Sequence, residues 1–297
     1  MTINYVGVVG LGGMGKALSE SLIAAEHAVT VWDRHTDRVA TTAMIGASPS
    51  VSPRQLASQS EVIFLALPHA AAVREVLYAE PDGVLAGIKD DALIIDMTTG
   101  DPTLAAEVAE RVAALNRGVR YVDAPVSGKA PQLTVMVGGA AGVLGEAEAV
   151  VEDIAKRVLY AGRLGEGFAV KLIHQHVKYA THLAVSEALL LASKLDLDMP
   201  TVIEALRHST GVEGGQQGAI EFYESNTRAM AKRAPSTTIK KDLDMALALA
   251  DEVGMTSSTL SATAAFFTAA VEREYQARPY PEASALLEKL TLKDAAR

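Results

Sequence analysis

Tyr5-Val6-Gly7-Val8-Val9-Gly10-Leu11-Gly12-Gly13-Met14-Gly15 is the stretch that decides the fold. Five mostly apolar residues, rich in valine, read as a buried strand that runs into a glycine-rich turn, and the turn opens an alanine- and leucine-containing segment of helical spacing. Strand, glycine turn and helix together are the context in which G-x-G-x-x-G binds a dinucleotide. Gly10 makes the tight turn, Gly12 lets backbone approach a pyrophosphate, and Gly15 lets the helix pack closely on the strand. Leu11, Gly13 and Met14 complete the cradle at a helix N-terminus whose N–H groups and dipole favour phosphate. A second strand, Ala28 to Trp32, ends at Asp33, where a carboxylate accepts hydrogen bonds from the adenosine ribose and repels a 2′-phosphate. Arg34, His35 and Arg38 argue for that phosphate. The cofactor is read as NAD or NADP, with NAD slightly favoured.

Outward from this motif the first half repeats the same grammar. Runs at Val62–Ala66, Ala92–Asp96 and Val119–Val122 alternate with Ala-rich helical segments, which predicts βαβ units with a parallel sheet covered on both faces. Two more strands, Leu133–Val137 and Val158–Ala161, are expected to close that sheet. After Gly165 the patterns are helical only: one long helix from Gly165 to Leu195, then pieces near 200–208, 215–224, 240–253, 257–275 and 282–290. The expected class is α/β: an N-terminal Rossmann-type dinucleotide-binding domain over residues 1–163, and a C-terminal all-α domain over 164–297, joined by a long helix.

Composition bounds the function. The 297 residues are 49% hydrophobic and 21% charged, as in folded globular proteins. A formal charge of −9 opposes wholesale binding to nucleic acid or anionic membrane. With no cysteine, disulfides, thiolate metal sites and cysteine nucleophiles are excluded. The N-terminus has no basic signal-peptide region, and the longest apolar stretch, Leu183 to Leu195, contains Glu187 and Lys194. A cytoplasmic protein without a membrane segment is expected. His174 and His176 face different sides of a helix, so no metal site is read there.

Downstream motifs recur in a definite order. Leu67-Pro68 follows one strand; Asp96-Met97-Thr98-Thr99 ends the next; Asp123-Ala124-Pro125-Val126-Ser127-Gly128 follows a third. Gly165-Glu166-Gly167 precedes Lys171, and Lys241-Asp242-Leu243 comes late. Together with the glycine fingerprint these resemble, almost end to end, the β-hydroxyacid dehydrogenase family, which includes 3-hydroxyisobutyrate dehydrogenases and tartronate semialdehyde reductases and belongs with 6-phosphogluconate dehydrogenase. The resemblance implies an NAD(P)-dependent oxidoreductase that interconverts a short 3-hydroxyacid and its aldehyde or keto form.

It also implies roles for residues. Leu67, Pro68, Thr98 and Lys241 line the cofactor; Ser127 and Gly128 hold the substrate carboxylate; Lys171 is the general acid/base. Lys171, His174, Gln175 and Lys178 form one polar stripe at i, i+3, i+4 and i+7 of a helix. An ordinary lysine near pKa 10.4 is a poor base at neutral pH, so the site must depress it through burial or nearby cations, with Lys129, Lys178 and Lys241 as candidates. Two departures bear on substrate. Lys129 replaces the usual second glycine in a shortened loop from Ser127 to Leu133, and either pairs with a further anionic group or points into water. Gln175 stands where the family has asparagine, so either the substrate differs or His174 shares the role. Ser209-Thr210-Gly211 and Gly214-Gly215-Gln216-Gln217 are a possible substrate loop or a plain connection. The resemblance further implies a homodimer or higher oligomer. The competing readings are an imine reductase-like enzyme, and a non-catalytic cofactor-binding interaction protein.

Overall fold

The structure, a computed structural model, describes residues 3–194, 196–208, 215–252, 256 and 258–291. The chain divides into two compact units, Met1–Lys171 and Leu172–Arg297.

In the first unit the order is β1 (Tyr5–Val9), α1 (Gly13–Ala24), β2 (Ala28–Trp32), α2 (Thr36–Ala43), β3 (Ser48–Pro49), α3 (Pro53–Gln59) and β4 (Val62–Leu65). It continues with α4 (Ala70–Tyr78), α5 (Val84–Gly87), β5 (Leu93–Asp96), α6 (Pro102–Ala114) and β6 (Arg120–Asp123). The six strands form one parallel sheet in the order β3-β2-β1-β4-β5-β6. Alternate side chains leave opposite faces of each strand. Val6, Val8, Phe64 and Ile95 therefore pack with Leu18 and Leu22 of α1 in one core. Val9, Ile63, Leu65 and Ile94 pack with Leu56, Val73, Leu77, Leu104 and Val108 in the other. Burial on both faces is why these strands read as unbroken apolar runs rather than as alternation.

The expected closing strands do not extend that sheet. β8 (Leu133–Val137) pairs with the two-residue β7 (Val126–Ser127) in antiparallel register and with β9 (Ala155–Tyr160) in parallel register, forming a separate three-stranded sheet. Both edges of β8 are committed to these neighbours; it is joined to the chain leaving β6 by Met136 N–H to the Pro125 carbonyl at 2.9 Å and Gly138 N–H to the Asp123 carbonyl at 2.7 Å, and its Leu133, Val135 and Val137 pack in the same core as Val6 and Val8. A short helix, α7 (Glu148–Glu152), precedes β9.

A 29-residue helix, α8 (Glu166–Lys194), starts in the first unit and joins it to the second. The second unit continues with α9 (Met199–Arg207), α10 (Gly215–Tyr223), α11 (Thr227–Met230), α12 (Ser236–Glu252) and α13 (Ser258–Val271). A 3-10 turn (Tyr280–Ser284) and α14 (Ala285–Thr291) follow. Its main core joins Leu172 and Tyr179 of α8 to Ile239, Leu243, Phe267, Tyr280 and Leu286. A smaller core gathers Val185, Leu189, Ile203 and Ile220. Among the described residues of this unit the only β pairing is the isolated bridge Pro235–Pro279. Among the described residues, no helix is long and apolar enough to cross a membrane.

Candidate active site

The glycine loop lies where the large sheet reverses direction, between the C-terminal ends of β1 and β4, the position at which open α/β sheets receive ligands. Gly10 has φ +90°, and a Cβ there would sit 2.5 Å from the Ala66 carbonyl oxygen. Its N–H donates to the Trp32 carbonyl at 2.9 Å, tying the turn to β2. A Cβ on Gly15 would overlap the Gly10 carbonyl, so the start of α1 rests directly on the turn. At Gly12 and Gly13 a Cβ would meet nothing within 4 Å. The outer side of the loop is thus open, next to the unpaired N–H groups that begin α1, and this arrangement fits a dinucleotide pyrophosphate.

Asp33 is buried, 7% exposed, and both its oxygens are engaged. Oδ2 accepts from Leu11 N–H at 2.7 Å and lies 3.5 Å from the Arg38 guanidinium, while Oδ1 accepts from His35 N–H at 2.8 Å. Its carboxylate fixes the glycine loop as well as marking the end of β2. Arg34 and His35 are exposed beside it.

The end of β5 builds a second support. Leu67 N–H donates to Thr98 Oγ1 at 3.1 Å, and Thr98 N–H donates to Asp96 Oδ1 at 2.9 Å. The Tyr121 hydroxyl donates to Asp96 Oδ2 at 3.0 Å. Asp96 is fully buried, and desolvation pushes its pKa up to about 6 against the opposing hydrogen bonds from Thr98 and Tyr121. The loops after β4 and β5 are therefore tied together through Thr98; Pro68, next to Leu67, is exposed.

Asp123, at the end of β6, is the residue whose function the sequence concealed. Its carboxylate accepts from Gly165 N–H at 2.7 Å and from Phe168 N–H at 2.8 Å, capping the start of α8 from a strand more than forty residues earlier. Burial raises its pKa, and these backbone donors oppose the rise. The approach is so close that a Cβ on Gly138 would overlap the carboxylate, and one on Gly167 would sit 2.8 Å from Oδ2 and 2.7 Å from Gly138 nitrogen. Phe168, fully buried, locks the same turn into the core. Lys171 follows within one turn and is itself buried, 7% exposed.

Ser127 ends β7 and is half-buried; Gly128 and Lys129 are exposed in the hairpin to β8. Gly128 has φ +98°, and a Cβ there would lie 3.2 Å from the Gln132 carbonyl oxygen. A Lys129 carbonyl to Gln132 N–H bond of 2.8 Å closes the turn.

In the second unit Gln175, 6% exposed, donates from Nε2 to Asp242 Oδ2 at 2.7 Å. Lys241 Nζ lies 3.1 Å from Asp242 Oδ1, so Asp242 draws together the two sequence-predicted residues Gln175 and Lys241. Lys178 is half-buried with its ammonium 5.3 Å from the Tyr179 ring centroid. Arg233 clasps the buried Glu221 with bonds of 2.7 and 2.5 Å. His174 is half-buried. Of the possible substrate loop, 209–211 and 214 lie outside the described residues. An open groove lined by Met199, Ile203, Arg207 and Tyr223 contains none of the predicted site residues.

Sequence reasoning missed Asp96 and Asp123 as supports, and Asp242 and Arg233 as members of the polar cluster. The available signal was two aspartates ending adjacent parallel strands, Asp96 opposite Asp123, with glycines placed where the second needs room.

Known proteins agree with this architecture. Residues 5–162 match the family model for the NAD binding domain of 6-phosphogluconate dehydrogenase, and residues 165–286 match that for the NAD-binding region of NADP-dependent 3-hydroxyisobutyrate dehydrogenase. A 2-(hydroxymethyl)glutarate dehydrogenase of Eubacterium barkeri is 32% identical over 73% of this chain and 73% of its own length. A 3-hydroxyisobutyrate dehydrogenase of Pseudomonas aeruginosa is 32% identical over 84% of this chain and 86% of its own. Among solved structures, a Mycobacterium tuberculosis 3-hydroxyisobutyrate dehydrogenase with L-serine is 26% identical with a TM-score of 0.82, covering 97% of this chain and 99% of that one. Both halves of the chain thus point the same way, and it belongs to the β-hydroxyacid dehydrogenase family of NAD(P)-dependent oxidoreductases.

Proposed function

We propose that this protein interconverts a short 3-hydroxyacid and its aldehyde or keto form, with Lys171 as the general acid/base. Residues 1–163 act as the NAD(P)-binding domain, and 164–297 as the substrate and dimerisation domain. The observation that carries the reading is the construction around Lys171: a buried lysine one turn into a helix whose start is fixed by Asp123 and Phe168. The substrates named for the two relatives, 3-hydroxyisobutyrate and 2-(hydroxymethyl)glutarate, both carry a hydroxymethyl group β to a carboxylate.

NAD or NADP, when bound, supplies the nicotinamide that accepts or donates the hydride. The open side of Gly12 and Gly13 and the first N–H groups of α1 hold its pyrophosphate, and Asp33 and Arg34 meet the adenosine ribose. Leu67, Pro68, Thr98 and Lys241 line its remaining length. Ser127 hydroxyl and Gly128 N–H hold the substrate carboxylate. In the oxidative direction the Lys171 amine takes the hydroxyl proton; in the reductive direction its ammonium returns a proton to the carbonyl oxygen. The Gln175 amide, with His174 beside it, orients the reacting oxygen. Packing of helical domains between copies makes the protein a homodimer or higher homo-oligomer, which light scattering tests.

The decisive experiment is Lys171→Met on a panel of 3-hydroxyacids with NAD and NADP in parallel. Turnover is expected to fall by about 10² to 10⁴ with cofactor affinity held within about twofold, since general acid/base catalysis supplies that factor. Retained turnover refutes the role of Lys171, and a wild-type enzyme inactive on the whole panel refutes the substrate class.

A further inference from the structure

We propose that Lys178, backed by Arg233, forms an anion subsite in the helical unit that takes a second acid group of the substrate, remote from the reacting carbon. The substrate class is then a 3-hydroxyacid with a distal carboxylate, sulfonate or phosphate, all sharing the same anionic, multiply accepting chemistry. This deepens the reading of Lys171 as the proton-transfer residue and rests on it for the substrate's orientation.

The first argument is a charge count in the cluster formed by α8, α10, α12 and the turn before α12 that carries Arg233. Three cations, Lys178, Arg233 and Lys241, face two anions, Glu221 and Asp242. Glu221 is taken by Arg233 through two hydrogen bonds, and Asp242 lies 3.1 Å from the Lys241 ammonium and accepts from Gln175. Among the described residues Lys178 forms no ion pair, and its ammonium lies 5.3 Å from the centroid of the Tyr179 ring. One positive charge is left over, the complement of one singly charged acid group. Burial, and next the repulsion of Arg233, draw the Lys178 pKa below its ordinary value, while Asp242 only partly offsets them. A half-buried ammonium held near a guanidinium is unfavourable unless something anionic comes to it.

The second argument is independent of charge. Gln175, one turn before Lys178 on the same face of α8, is buried, and its Oε1 has no hydrogen-bond partner although its Nε2 is committed to Asp242. A buried, unsatisfied amide oxygen beside a surplus cation marks a place for a ligand that brings both a donor and an anion. A hydroxyacid with a second acid group brings both.

Spacing sets the length of that ligand. Lys178 is seven residues beyond Lys171 on one helix, an axial rise of about 10 Å between their Cα atoms. An acid group at Lys178 therefore belongs to the far end of a chain several carbons long when the reacting carbon lies at Lys171.

The test uses the full-length protein and two kinds of readout. Calorimetry compares glutarate with butyrate, two carboxylates and one on similar skeletons, against wild type, Lys178→Met and Lys178→Arg, each checked for folding by circular dichroism. Wild type is expected to prefer glutarate at least tenfold, Lys178→Met to bring the ratio to within about twofold, and Lys178→Arg to restore it. Analogues of glutarate in which one carboxylate is replaced by a sulfonate or a phosphonate then separate the acid classes. Kinetics with 3-hydroxyacids bearing or lacking a distal acid should show the same ratio in kcat/KM. No preference in wild type, or a preference that survives Lys178→Met, overturns the subsite. Failure of the Lys171 reading has a different signature: the binding preference persists while Lys171→Met leaves turnover intact.

Discussion

Asp123→Asn isolates the contact that anchors the helix bearing Lys171. The wild-type carboxylate accepts two backbone N–H groups, from Gly165 at 2.7 Å and Phe168 at 2.8 Å, in a fully buried setting. An asparagine retains one acceptor and turns an NH₂ group toward the other donor. One buried N–H is then unpaired, at about 1–3 kcal/mol, and the surviving bond falls from charged to neutral, at about 1 kcal/mol more. The raised pKa of Asp123 means that its charge is expensive to bury, and the amide escapes part of that cost. The net loss is about 2 kcal/mol, or about 4–8 °C in Tm for a unit of this size. Thermal unfolding by circular dichroism at pH 7 reads it directly, with Asp123→Ala, which strands both donors, expected to lose about twice as much. A displacement of the lysine by about 1 Å costs on the order of 10² in rate, so kcat should fall out of proportion to stability at temperatures where both proteins are folded. An asparagine variant within 1 °C of wild type and with unchanged kcat would refute the anchoring role.

Two other outcomes follow from groups near the cofactor loops. Asp96 binds its proton more tightly folded than unfolded, so its contribution to stability is greatest below about pH 4 and declines as pH rises through about 6, by on the order of 3 kcal/mol in all. The groups facing it are Thr98, Tyr121 and Asp123, and the pH dependence of Tm between 4 and 7 should flatten in Asp96→Asn; an unchanged slope assigns the effect elsewhere. Removing the exposed guanidinium groups in Arg34→Ala with Arg38→Ala should raise KM for NADP at least about tenfold and for NAD less than about threefold. Equal shifts for the two cofactors would show that neither arginine senses a 2′-phosphate.

The strands were legible where burial on both faces imposes a continuous apolar run, as at Tyr5–Val9 and Ala28–Trp32, whose observed limits match those expected. β3 was not, because a two-residue edge strand containing Pro49 has no room for a pattern. The assignment of Leu133–Val137 to the large sheet failed for another reason: its composition marks a strand but says nothing about its partner. In the second unit the long helix stood out, whereas α11 is four residues held by an Asn226 cap and leaves no periodicity to find. The glycine fingerprint announced itself because its neighbours in sequence are its neighbours in space. Asp123 did not, because the atoms it holds are the backbone N–H groups of Gly165 and Phe168, which carry no side-chain signature. Asp242 escaped for a similar reason, its importance residing in Gln175, 67 residues away.

The separation of β7, β8 and β9 from the parallel sheet has an evolutionary consequence. The turn carrying Gly128 and Lys129 projects from a small sheet whose pairing ends at Ser127 and Thr134, so residues can be inserted or deleted in it while the six-stranded scaffold keeps its register. This turn can thereby change in length without altering the register of the strands that carry the glycine loop. That modularity gives selection a cheap variable and an insulated constant within a single polypeptide.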